Sequence, residues 1–306
     1  MKNEKSNNPL LCDPKEGFCE IPTNQQESSP TISKTEKTIK VIYFTDPICS
    51  SCWGIEPQLR KLKLEYGDSV EVTYHMGGLL PNWSYNSGGI SKPTDVASHW
   101  DEASLYYDMP IDGNVWIEDP LHSSYPPSIA FKAAQMQDEE KAKAFMRELR
   151  EMVFLKKINI AKEENIIKAA QNVELNIEQL KNDLSNNAMK LFEEDLKLAR
   201  QFGVRGFPTL YFINKSGFTE VVYGSKPYTF YENAIQKLDS NIKKESYAKN
   251  VVDLMNTFHS LTAREFSELS GTPRMESEKI LNDLVTEGKL EKFTTRNGSI
   301  WKLLTK

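Results

Sequence analysis

The chain has 306 residues, 39% of them hydrophobic and 26% charged, with a formal net charge of −5 and a mean hydropathy of −0.53. That length allows about two domains and a sizeable core, and the mild acidity gives no general case for binding nucleic acid or an anionic membrane. No apolar run approaches the roughly 18 residues of a membrane span, so no membrane contact is expected.

Residues 1 to 37 are polar and read as a mobile tail. They contain no apolar core and no small-residue cleavage pattern of a secretory signal. A cytoplasmic location is therefore expected, where disulfides are usually transient and catalytic. The tail's one feature is Cys12 and Cys19, bracketing a turn-forming Asp13-Pro14-Lys15-Glu16-Gly17. Three readings stand open for this pair: idle thiols, a second redox pair that exchanges with another dithiol, or a metal clip. A linker from Thr23 to Lys37 is long enough to let the segment fold back.

Thr38 to Thr45 is an apolar, β-branched run and the first expected core strand. Directly after it comes Phe44-Thr45-Asp46-Pro47-Ile48-Cys49-Ser50-Ser51-Cys52-Trp53-Gly54. Ile55, Leu59, Leu62 and Tyr66 then fall on one face of a helix spanning Ser50 to Tyr66. This puts Cys49 at the helix N-terminus, where unpaired N–H groups and the helix dipole favour an anion. Its thiol is expected to titrate low, at about 3.5–7.5, and so to act as a nucleophile. Cys52, one turn along, would resolve the mixed disulfide. Cys-x-x-Cys is also half of a zinc site, with Cys12 and Cys19 as the other half. A purely structural pair is the third option. Zinc pairs usually sit on knuckles or hairpins rather than before a long helix, so redox chemistry is the favoured reading, with no metal or cofactor.

Val70, Val72 and Tyr74 mark a second strand, parallel to the first because a helix connects them. His75-Met76-Gly77-Gly78 ends it, with His75 read as a packed or exposed histidine rather than a ligand. From about Asn82 to Phe202 no further strand is expected. The segment reads as a loop, a short helix over His99 to Tyr107, an irregular stretch, and five helices. These are Ser128 to Gln137, Asp138 to Phe154, Lys162 to Asn172, Ile177 to Asn186 and Ala188 to Phe202. Thr209 to Ile213 and Phe218 to Tyr223 are two more strands around Asn214-Lys215-Ser216-Gly217, a hairpin signal. Tyr231, Ile235, Leu238 and Ile242 mark a closing helix. Pro208 cannot donate to a ladder, so it opens its strand rather than sitting inside it.

The Cys-x-x-Cys after a strand, the Gly203 to Ile213 loop and the long helical insert together resemble the thioredoxin superfamily, and its DsbA-like branch in particular. The resemblance implies a thioredoxin-like α/β domain over 38–245, with a helical insertion at about 82–202. It implies a cis-proline loop at Phe207, Pro208 and Thr209 that docks the substrate backbone, a kinking proline at Pro57, and Trp53 packed beside the thiols on the substrate-binding side. The phrases DGNVWIEDP, SIAFKAAQMQ and DPICSSCWGIEPQLRKLK are similar to the cytoplasmic SpxH (YjbH)/FrnE-like family, which includes both a ClpXP protease adaptor and dithiol-disulfide isomerases. That likeness is expected over roughly 38–245.

Residues 246–306 read as a separate unit. Thr262-Ala263-Arg264-Glu265 is a capping box, and Gly271 with Thr272-Pro273 separates two helices. Leu290 to Thr294 and Ser299 to Leu303 flank Arg296-Asn297-Gly298 as a hairpin. Three helices and a hairpin suggest a small winged helix-turn-helix-like domain, which the adaptor pattern does not lead one to expect. Its acidic and basic residues nearly balance, so protein contact is favoured over DNA. The expected function is a cytoplasmic thiol-disulfide oxidoreductase or isomerase acting on protein thiol or disulfide substrates. The alternative is a ClpXP-type adaptor that binds a client protein, with its thiols redox-active or vestigial.

Overall fold

The structure is a computed structural model that describes residues 12–13, 18–20 (backbone only), 37–84 and 91–304. The expected linker between Thr23 and Lys37 and part of the loop after Asn82 lie outside the described residues. Two short strands open the chain, β1 (Cys12–Asp13) and β2 (Phe18–Glu20), where a tail without structure was expected. The strand β3 (Ile39–Thr45) is followed by α1 (Ser50–Gly54), α2 (Glu56–Tyr66) and β4 (Val70–Met76). The insert holds α3 (Pro93–Tyr107), α4 (Val115–Glu118), α5 (Tyr125–Gln137), α6 (Glu139–Phe154), α7 (Glu163–Asn172), α8 (Ile177–Ser185) and α9 (Ala188–Gln201). Then come β5 (Gly206–Phe207), β6 (Thr209–Asn214), β7 (Thr219–Tyr223) and α10 (Tyr228–Leu238). The last elements are α11 (Val251–Phe258), β8 (Ser260–Thr262), α12 (Ala263–Ser270), α13 (Arg274–Thr286), β9 (Leu290–Thr295) and β10 (Gly298–Leu303). No helix among the described residues is long and apolar enough to cross a membrane.

The central sheet runs β4-β3-β6-β7, with β3 parallel to β4 and antiparallel to β6. A strand covered on both faces is expected to be a near-continuous apolar run rather than alternating, and β3 is one but for Lys40 and Thr45. Its alternate residues feed two cores. Val41 and Tyr43 pack with Leu59, Leu62, Tyr231 and Ile235 of α2 and α10. Ile42 and Phe44 pack with Phe131, Phe145 and Phe192 of the insert. This is a thioredoxin-like α/β fold with the DsbA-like helical insertion.

The active-site helix is not the single element the periodicity suggests. It breaks at Ile55 into α1 and α2, with Pro57 in the first turn of α2. Proline there has no N–H to contribute and a φ already suited to a helix start, so it begins a new helix rather than continuing the old one. The helix expected from His99 begins six residues earlier, at Pro93, and the stretch after Asp112 expected to be irregular holds the one-turn α4. Ile242, expected on the closing helix, is buried but lies beyond α10.

The C-terminal unit contains a third strand that was too short to see from pattern alone. Ser260–Thr262 pairs with β10, giving a sheet in the order β8-β10-β9. The capping box at Thr262 is formed in both directions, with Glu265 N–H donating to Thr262 Oγ1 at 3.1 Å and Thr262 N–H donating to Glu265 Oε2 at 2.7 Å.

This unit is fastened to the rest by buried charge. Arg147 of α6 forms a two-pronged pair with Glu265 (2.7 and 3.1 Å), and Arg60 of α2 reaches the same carboxylate at 3.2 Å. Arg60 also donates to the Ser260 carbonyl at 2.6 Å. Lys302 of β10 pairs with the buried Glu151 at 2.7 Å. The β9–β10 turn reaches the insert, where Asn297 donates to Asp101 (2.6 Å) and to the Ile111 carbonyl (2.8 Å).

Candidate functional site

Cys49 caps the N-terminus of α1, and its Sγ accepts the Cys52 N–H at 3.1 Å. The two thiols are therefore side by side, as their spacing implies. Asp46-Pro47 turns the chain out of β3 into the helix, and the Asp46 carboxylate braces that turn. It accepts N–H bonds from Ile48 (3.1 Å) and Leu79 (2.8 Å) and the Ser124 hydroxyl (2.9 Å). Burial nonetheless pushes its pKa up to about 6, against the pull of those donors.

The electrostatics differ from the sequence expectation. Cys49 and Cys52 are both fully buried. For Cys49, burial outweighs the helix terminus and, with the neighbouring Cys52, pushes the thiol well above its ordinary value. Cys52 goes the other way. Burial opposes its ionisation, but a hydrogen bond from Cys49, the Arg150 guanidinium and hydroxyls of Thr45 and Tyr43 bring it below the ordinary value. A helix dipole assists an anion only in competition with desolvation, and a closely coupled pair titrates as a unit. The direction for Cys49 is thus opposite to the expected low pKa.

Arg150 is the functional-site residue the sequence did not reveal. It is fully buried beneath α1, pairs with Glu56, and donates to Thr45 Oγ1 at 2.7 Å and the Asp46 carbonyl at 3.3 Å. Nothing in a helical pattern such as Arg147-Glu148-Leu149-Arg150 marks one arginine as internal. Tyr107 was also missed. Its hydroxyl is 2.9 Å from Ser51 Oγ, and its ring lies so close to Gly54 that a Cβ there would come within 2.5 Å of it.

Trp53 is not on a binding surface. It is fully buried, its indole N–H donates to the Pro110 carbonyl at 3.1 Å, its ring stacks on Phe154, and Arg147 sits 4.3 Å above it. These contacts fix α1 against the insert, with Trp53 in the same core cluster as the two thiols. The Phe207-Pro208 bond is cis. Phe207, Pro208 and Thr209 are all buried, and Thr209 Oγ1 donates to the Gly206 carbonyl at 2.7 Å. Gly77 makes room for this loop, because a Cβ at that position would lie 1.6 Å from the Phe207 ring. His75 is held by Asp195 at 2.7 Å, which also takes Lys132 and the Met76 N–H.

The two tail cysteines enter the same neighbourhood through the backbone. β1 and β2 are antiparallel with Cys12 opposite Cys19, and β2 pairs with β5 so that Cys19 lies opposite Phe207 and Glu20 opposite Gly206. β2 also packs against α1.

Residues 43–233 match the family model described as Thioredoxin. A curated relative, the ClpXP adapter protein SpxH of Halalkalibacterium halodurans, is 31% identical over 303 residues, covering 97% of this chain and 98% of that one. The likeness thus extends well past 38–245 and takes in the C-terminal unit, contrary to expectation. Among solved structures, a putative protein disulfide isomerase from Nitrosomonas europaea superposes with a TM-score of 0.57 at 18% identity, over 66% of this chain and 97% of that one. The cytosolic disulfide reductase DsbM from Pseudomonas aeruginosa gives 0.53 at 19%, over 65% and 98%. The fold, the paired cysteines at a helix start and a likeness that runs the length of the chain agree: this chain belongs to the thioredoxin family, and there to the family of the ClpXP adapter SpxH.

Proposed function

We propose that the protein is an adaptor that binds a client protein and delivers it to a ClpXP-type protease. The observation that carries this reading is coverage. The adapter relative matches 97% of the chain, whereas the disulfide isomerase and reductase, themselves matched almost whole, correspond to about two-thirds of it. The thioredoxin family model ends at residue 233, short of the C-terminal unit, which we read as a winged-helix-like protein-contact module. Its β9–β10 turn is spent on contacts within the molecule, and α13 carries Glu276, Glu278 and Asp283, with Glu287 at its C-cap. That acidity disfavours nucleic acid as the partner.

A second reading, a thiol-disulfide oxidoreductase acting on protein dithiols, is favoured by the Cys49–Cys52 contact over a buried Arg150. In it Cys49 attacks the substrate disulfide, Cys52 resolves, and Phe207, Pro208 and Thr209 hold the substrate chain. The two readings separate in one experiment. Client half-lives are measured by pulse-chase in a deletion strain complemented with wild type or with the Cys49→Ser, Cys52→Ser double variant. The adaptor reading expects wild-type client turnover from the double variant under reducing conditions. Complete loss of turnover would overturn it in favour of the enzyme.

A further inference from the structure

We propose that Cys12 and Cys19 form a second, docked dithiol, whose disulfide is the intramolecular exchange partner of Cys49 and Cys52. Three placements carry this inference. First, Cys12 and Cys19 are cross-strand partners in the β1–β2 ladder. Directly opposed residues in an antiparallel pair have Cα atoms about 4.5 or 5.5 Å apart, and both spacings fall within the roughly 4.4–6.8 Å that a disulfide bridges. The expectation that so short a loop could close thus meets a register that brings its ends together.

Second, the ladder does not stand alone. Cys19 is the cross-strand partner of Phe207, the residue before Pro208, so β2 adds itself to the edge of β5 as an extended peptide adds to an exposed sheet edge. Third, β2 lies against α1, whose N-cap is Cys49. One strand therefore joins the tail dithiol, the cis-proline segment and the helix that begins at Cys49. A β5 of two residues offers few ladder bonds, which suits a strand that docks and leaves.

The chemistry balances within the chain. Starting from a Cys12–Cys19 disulfide, loaded by an external low-molecular-weight or protein disulfide, the Cys49 thiol gives up its proton as its sulfur attacks the Cys19 sulfur. The Cys12–Cys19 bond breaks, a Cys49–Cys19 bond forms, and Cys12 leaves as thiolate and takes up a proton. The Cys52 thiolate then attacks the Cys49 sulfur. Cys19 is released and protonated, and a Cys49–Cys52 disulfide remains. Two electrons and two protons pass from the active-site pair to the tail pair, and the reverse sequence returns them. The Arg150 guanidinium beside Cys52 favours the resolving thiolate. In the docked state β2 takes up the edge of β5, so a client strand that uses this edge competes with the tail.

The inference is independent of the adaptor reading, which is tested on client turnover with all thiols reduced. It is tested on the full chain carrying Cys52→Ser, treated with oxidised glutathione and digested without reduction. Mass spectrometry is expected to find Cys49 linked to Cys19, at least ten-fold above any Cys49–Cys12 link, because Cys19 is the residue in register with Phe207. Cys49 linked only to glutathione would overturn the proposal, as would four thiols holding one stoichiometric zinc ion. A second measurement avoids reliance on the variant. Wild-type protein loaded with one equivalent of disulfide is followed as its bridge redistributes between the two pairs. The rate is expected to stay constant on ten-fold dilution. A rate that falls ten-fold would make the exchange intermolecular and end the proposal.

Discussion

The two appendages of the thioredoxin-like unit are attached by opposite means. The C-terminal unit is held by buried, charged side chains: Glu265 between Arg147 and Arg60, and Glu151 against Lys302. Among the described residues, the N-terminal segment meets the rest through the backbone, by two cross-strand residue pairs between β2 and β5. A buried ion pair that loses one partner leaves an uncompensated charge, so such a seam fails at high cost or not at all. A short edge ladder loses bonds that water replaces, so its net worth is small. On these described contacts the C-terminal seam is the fixture, and the β2–β5 ladder is the weaker attachment.

The sharpest way to break this comparison is Glu265→Ala. It strips the carboxylate partner from Arg60, leaves Arg147 with Glu151 and Glu56, and also removes one half of the α12 capping box. The expected loss is about 3–5 kcal/mol of stability, by analogy with other buried pairs, read as a lower urea midpoint. A loss below about 1 kcal/mol would mean that the seam is not what holds the unit.

Acid should produce the next largest effect. Glu151 is fully buried, and although burial alone would raise it, Arg147 and Lys302 bring its pKa down to about 2. A carboxylate depressed on folding contributes stability that is present above its unfolded value, near about 4.5, and lost as pH falls through the folded value. The difference is worth about 3 kcal/mol. Wild-type stability should therefore fall between pH 5 and pH 2, and Glu151→Gln should flatten that slope. An unchanged slope in the variant would assign the acid loss to other carboxylates.

The smallest expected effect comes from the other end. Deleting residues 1–36 should cost about 1 kcal/mol or less, given a net worth of roughly 0.5–1.5 kcal/mol per hydrogen bond and few bonds to lose. The same deletion should speed alkylation of Cys49 several-fold by uncovering the edge beside it. Destabilisation as large as that of Glu265→Ala would erase the distinction between fixture and weaker attachment.

Much of this architecture is legible in the sequence because it rests on local signals. The β3 run, the hairpin at Asn214 to Gly217 and the Thr262–Glu265 capping box each announce themselves within a few residues. Cys49, Cys52 and Pro208 carry chemistry that few other residue types supply. What stays hidden depends on distant partners. Arg150 looks like any helix-surface arginine until the fold sets Glu56 and Thr45 around it. The expected acidity of Cys49 fails for the same reason, since spacing reveals the helix start but not the burial that opposes it. Trp53 was placed near the thiols correctly, but its side chain turns toward Pro110 and Phe154. β8 escapes because three residues carry no periodicity.

The close approach of the Phe207 ring to Gly77 has a consequence for recognition. With the ring seated where any side chain at position 77 would stand, the β5 edge is backed by main chain and has no room to retreat. A strand that adds to this edge meets a template already in its final shape, so conformational entropy is lost by the visitor and hardly at all by the host. Preference among visitors is then decided by how readily each becomes extended. A segment already bent into a hairpin by its own cross-strand pairing arrives with part of that ordering complete.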